Sequence, residues 1–96
     1  MKRIEIIANR SIEEDMHDIF RRKQIAQYYT KIPEVHGAGK SGPRRGDHIW
    51  PEENFILIVY CGDEEAEEIK SAVAELKLTF EGEGIKLFEM ECSEID

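Results

Sequence analysis

The stretch Glu34-Val35-His36-Gly37-Ala38-Gly39-Lys40-Ser41-Gly42-Pro43-Arg44-Arg45-Gly46-Asp47-His48-Ile49-Trp50 holds the residue types best suited to gripping an anion. Gly37, Gly39, Gly42 and Gly46 have no Cβ, so their backbone amides can approach an oxyanion closely, and Lys40, Arg44 and Arg45 add charge, arginine in bidentate fashion. From His36 to His48 three cations stand against Asp47, a formal +2, so the remainder of a chain of net charge −8 carries −10. A glycine-rich basic loop in an acidic chain is a place to meet an anionic ligand or partner. A second short element, Gly82-Glu83-Gly84, followed by Lys86, has the glycine content of a tight turn that can also cradle a ligand.

Other side chains admit different chemistry. His36 and His48 bracket the basic loop and, with Asp47 or a cysteine, form a candidate site for a divalent metal. His17 falls within a helical stretch and reads as a surface residue. Trp50, followed by Pro51, reads as a loop anchor. Cys61 and Cys92 are 31 positions apart, which is neither a zinc-knuckle spacing nor a disulfide framework, and both fall at predicted strand ends, where packing is the commoner role. The acidic run Asp63 to Glu68 suits the positive end of a helix better than it suits acid–base chemistry. No catalytic residue is assigned, and the chain is not expected to be an enzyme.

These residues need a scaffold. Ninety-six residues make one domain, and 41% hydrophobic with 35% charged residues describe a soluble, cytoplasmic protein. No apolar run reaches the roughly 20 residues needed to cross a bilayer. Glu5 interrupts the apolar stretch a signal peptide would require, so export is not expected. The acidic balance argues against nucleic acid as a partner, since phosphate neutralisation dominates such binding.

Lys2 to Ala8 alternates and reads as a strand, with Ile4, Ile6 and Ala8 on one face and Ile7 on the other. Ser11 with Glu14 has the form of a capping box opening a helix whose stripe is Ile12, Met16, Ile19 and Phe20. Ala26 to Val35 reads as a second strand, placed at an edge or bulged by Pro33. Asn54 to Cys61 is apolar on both faces and predicts a central strand; Asp63 is expected to cap a helix with the stripe Ala66, Ile69, Ala72, Val73 and Leu76; Ile85 to Cys92 closes as a fourth strand. The order β-α-β-β-α-β predicts an α+β ferredoxin-like domain over residues 1–96: a four-stranded antiparallel sheet of order 4-1-3-2, two helices on one face, and a long loop at 36–53. In that sheet the two cysteine strands lie on either side of the first strand, too far apart for a disulfide. The helix-free face is expected to carry Ile7, Leu57, Val59 and Leu87, or their neighbours, an uncovered apolar surface that predicts a homo-oligomer.

With this order, the run Glu34-Val35-His36-Gly37-Ala38-Gly39-Lys40 resembles the start of the flexible T-loop of the PII signal-transduction superfamily, and Gly82-Glu83-Gly84-Ile85-Lys86-Leu87-Phe88 resembles its B-loop. The resemblance implies a homotrimer packed sheet to sheet, which binds a small anionic effector between subunits, most plausibly an adenine nucleotide, and signals through the loop to a target protein such as a membrane transporter. No cofactor is required on this reading. It carries ligand contacts onto Gly37, Gly39, Lys40, Arg44, Arg45, Gly82, Gly84 and Lys86. CutA-type divalent-cation proteins share the architecture and imply the alternative, a metal-binding trimer using His36 and His48. The chain departs from true PII proteins in four ways: Ile85 intervenes before Lys86, the loop is shorter than the usual T-loop, no tyrosine lies between Val35 and Asn54, and Ser93 to Asp96 offers acid where a basic C-terminal segment is expected.

Overall fold

The computed structural model describes residues 1–37 and 53–96. Four strands and two helices follow one another: β1 (Lys2–Asn9), a 3-10 turn (Arg10–Ile12), α1 (Glu13–Lys23), β2 (Thr30–Val35), β3 (Asn54–Cys61), α2 (Asp63–Thr79) and β4 (Ile85–Glu91). The sheet order is β2-β3-β1-β4, the expected arrangement read from the other edge. Every pairing is antiparallel.

Register decides which side chains reach the core. Ile4 pairs with Val59, Ile6 with Leu57 and Ala8 with Phe55, and all six are buried in one cluster with Ile12, Met16 and Phe20 of the first helical segment and Ala66, Ile69, Val73 and Leu76 of α2. Ile6 also pairs with Leu87, which packs against that cluster. Leu57, Val59 and Leu87 therefore face the helices, contrary to expectation. Ile7 is on the helix-free face as expected, joined there by Ile56, Ile58, Tyr60, Phe88 and Met90, with Arg3, Glu5 and Lys86 among them. A shift of one residue turns a strand over, and β3 is apolar on both sides, so only its pairing to β1 settles the face.

Two helix starts also differ from expectation. The Ser11 hydroxyl does not cap α1; the Asn9 side chain accepts from the Ser11 amide at 2.9 Å and folds Arg10–Ile12 into a 3-10 turn from which α1 continues. Gly62, not Asp63, is the N-cap of α2, and no side chain caps it; its carbonyl accepts from Ala66 at 3.0 Å. The second strand begins at Thr30 because Ile25 and Ala26 are drawn into the core, with Gln24 and Ala26 in the left-handed region (φ +57° and +52°). The Ala26 amide donates to the Glu65 carboxylate at 3.0 Å, which ties this turn to α2. Pro33 sits at the register shift between Ile32 and Val35, in an edge strand as expected.

Ion pairs stitch the helices to the sheet and to each other. Lys70 of α2 reaches Glu89 at 2.7 Å, Lys2 pairs with Glu91, and Lys23 of α1 reaches Glu75 at 2.9 Å. Hydrogen bonds from these lysines hold the carboxyls of Glu89, Glu91 and Glu75 below the ordinary carboxylate value, while Glu67 and Glu89 hold Lys70, and Glu91 holds Lys2, above theirs. Carboxyls lowered in the folded state contribute stability that is present above the unfolded value of 4.5 and lost as pH falls through the folded values. Raised lysines contribute stability below 10.5 that is lost as pH rises beyond it. The thermal midpoint should therefore decline at both extremes. The acid limb should be shallower in Glu89→Gln; an unchanged limb would mean that solvent screens these exposed pairs completely.

Candidate functional site

One end of the sheet gathers both candidate loops. There Val35, the last residue of β2, pairs with Asn54, the first of β3, and Asn54 pairs with Asn9, the last of β1. The Asn9 amide donates to the Gly84 carbonyl at 3.3 Å, while the next amide, that of Arg10, donates to the Glu53 carbonyl at 3.0 Å. Consecutive amides of an extended chain point in opposite directions. The end of β1 is thus clamped between the Gly82–Gly84 turn on one side and the returning end of the 36–53 loop on the other.

The turn before β4 is closed by the Glu83 amide donating to the Phe80 carbonyl at 3.2 Å. Gly82 has φ +92°, and a Cβ built there would meet nothing within 4 Å. Its need for glycine is conformational and not steric. Gly84 offers its carbonyl to Asn9, which leaves its amide as the donor available to a ligand. Ile85 is buried in the core and Lys86 points to the helix-free face, opposite Ile7. Gly37 lies just past β2 in open space. His36 stands beside Glu34, Nε2 to Oε1 3.4 Å, and both are exposed.

Gly37, Gly82, Gly84 and Lys86 are thus at one end of the sheet, whereas Gly39, Lys40, Arg44, Arg45, His48 and Trp50 lie outside the described residues. Among the described residues no three histidine, cysteine or acidic side chains converge as metal ligands. Both cysteines are free thiols; burial, with Glu65 nearby, pushes the Cys61 thiol up, which leaves it a poor nucleophile. Two open clefts among the described residues lie elsewhere, about 370 Å³ beside Lys23, Glu68 and Ser71 and about 300 Å³ beside His17, Phe20 and Tyr29, both on the helical side.

The loop base and the turn stand on opposite edges of the sheet. From β2 to β4 is three strand steps, about 14 Å at roughly 4.8 Å each. Sequence reasoning missed two residues of this end. Arg10 Nη1 reaches Glu53 Oε2 at 2.8 Å, placing a guanidinium beside the returning end of the 36–53 loop. The sequence carries no local signal for the pair, because it joins residues 43 positions apart.

The profile of the family described as nitrogen regulatory protein P-II matches residues 1–96. The chain belongs to the PII family. No curated protein matches it by sequence. Solved structures resemble this PII-family chain in fold. A nitrogen regulatory PII-like protein from Thiomonas intermedia K12, bound to ADP, AMP and bicarbonate, has a TM-score of 0.65 at 16% identity, over 93% of this chain and 84% of that one. The apo form of the same protein has a TM-score of 0.61 at 15% identity, over 93% and 87%. A PII-like signaling protein from Thermus thermophilus has a TM-score of 0.62 at 19% identity, over 93% and 83%. No helix among the described residues is long and apolar enough to cross a membrane.

Proposed function

We propose that this PII-family chain is a trimeric regulatory protein that binds an adenine nucleotide between subunits and signals to a partner protein through the 36–53 loop. The observation that carries this reading is the shared end of the sheet, with the loop base and the Gly82–Gly84 turn on opposite edges. A phosphate chain touching both elements of one subunit would have to cross two intervening strands. Packing subunits by the helix-free face, where Tyr60 is 52% and Phe88 49% exposed, would let the turn of one chain meet the loop base of the next. The relative bound to ADP, AMP and bicarbonate supports the same effector class.

The contacts proposed are Gly37, Gly39, Lys40, Arg44 and Arg45 from the loop and Gly82, Gly84 and Lys86 from the turn and strand. Glu83 in the turn opposes a highly charged phosphate chain, which favours ADP or AMP over ATP. Differential affinity of the nucleotide for two loop arrangements would transmit the signal, and the target would be a protein such as a membrane transporter.

Thermal unfolding against ADP, AMP, ATP, bicarbonate and divalent metals tests the reading. At a hundredfold excess over its dissociation constant, a ligand specific to the folded state adds about 2.7 kcal/mol of stability. ADP or AMP should shift the midpoint, and Arg44→Ala should reduce that shift. Stabilisation by metals alone, lost when His36 and His48 are replaced, would transfer the assignment to a cation-binding trimer.

A further inference from the structure

We propose that Arg10 is a phosphate-binding residue of this sheet end and that Glu53 is its built-in competitor, holding the guanidinium until the phosphate oxygens of a nucleotide displace it. The inference rests on the nucleotide reading above and adds to it a residue pair and a means of setting affinity. Two observations carry it. Arg10 follows Asn9, whose amide is bonded to the Gly84 carbonyl, so its side chain starts between the turn and the loop base. Its side-chain partner among the described residues is Glu53, through Nη1 alone at 2.8 Å, with the two side chains 53% and 58% exposed.

That geometry suits exchange. A guanidinium has five N–H donors in a fork that matches two oxygens of a phosphate, and the single contact to Glu53 leaves most of them for a ligand. Ion pairs between exposed side chains are weak, so an incoming phosphate meets a small barrier to displacement. The carboxylate cannot diffuse away, because the Glu53 carbonyl is bonded to the Arg10 amide at 3.0 Å. It competes at a fixed and high local concentration, which raises the nucleotide level at which the site fills.

The competitor role predicts an effect opposite in sign to that of a structural brace. Calorimetric titration of the full chain with ADP should show tighter binding for Glu53→Gln, by about two- to fivefold, the range of an exposed ion pair. Arg10→Gln should bind ADP more weakly by at least as much, and Arg10→Lys should recover part of the loss. In the Arg10→Gln background the gain from Glu53→Gln should vanish. Adenosine, which lacks phosphate, should bind all variants alike, and Glu64→Gln in the first turn of α2 should leave ADP affinity unchanged. Weaker ADP binding by Glu53→Gln would overturn the proposal, as would a gain that persists without Arg10 or extends equally to adenosine. Should the unaltered chain bind no ADP, the nucleotide reading itself fails; pyrophosphate then probes the pair, with the same signs required of the same variants.

Discussion

Phe88→Asp is expected to reduce the assembly to single chains and to abolish stabilisation by ADP, while leaving the fold of each chain in place. Phe88 lies on the helix-free face at 49% exposure, outside the buried cluster, so a single chain does not depend on it for folding. In a face-packed trimer the same ring would lose its remaining contact with water in each of three subunits, worth about half of the roughly 1.5–3 kcal/mol that full burial of such a side chain gives. The substituted carboxylate would be desolvated at the interface and would stand directly across from Glu5 on β1, a like charge at the closest cross-strand position. Light scattering should report the mass of one chain, far-UV circular dichroism should be unchanged, and the ADP-dependent thermal shift should disappear. A variant that keeps its assembled mass would remove the helix-free face from the interface, and with it the argument for a site between subunits.

The second large effect is on the chain itself. Phe55→Ala should cost about 3–5 kcal/mol, the range for truncating a buried aromatic ring. Phe55 is wholly buried, pairs with Ala8 and belongs to the cluster that joins both helices to the sheet. The small size of Ala8 is why the ring fits there, and it also means that no neighbouring side chain on β1 can fill the space. Against a typical total of about 5–15 kcal/mol for a domain, such a loss leaves a marginal protein. Urea denaturation measures it directly; a loss below about 1 kcal/mol would mean that the core collapses around the gap. Phe55 also follows Asn54, the residue through which β3 pairs with β1 and β2 at the loop end, so ligand affinity should fall along with stability.

The element order, the sheet order and both helix stripes were legible in the chain because each rests on a local periodicity strong enough to stand alone. Ile4, Ile6 and Ala8 alternate, and Ala66, Ile69, Val73 and Leu76 recur at helical spacing; all are buried as read. The side of β3 that faces the helices was not legible. Asn54 to Cys61 offers apolar residues to both faces, and the choice belongs to the pairing of Leu57 with Ile6. Asn9 was hidden as a cap for a similar reason: Ser11 and Glu14 satisfy a capping pattern, but the 3-10 turn is closed two residues earlier by a side chain from the end of the strand. The glycines of the candidate site announced themselves by type, and Gly82 does take the positive φ that glycine allows. Arg10 did not, because its meaning comes from hydrogen bonds to residues 43 and 75 positions distant from it and from Asn9, respectively.

The register shift at Pro33 has a consequence for how copies of this chain can join. A regular outer strand presents free amides and carbonyls to any passing β-segment, and copies that add strand to strand have no natural stopping point; they grow into filaments. Here Thr30, Lys31, Ile32, Pro33 and Glu34 are all exposed, yet the proline lacks an amide and the shift breaks the regular spacing of the ladder. Charged Lys31 and Glu34 add a desolvation penalty to any such docking. A filament built by strand addition must use both edges of the sheet in turn, so a break at this one edge is enough to stop the chain of copies from propagating.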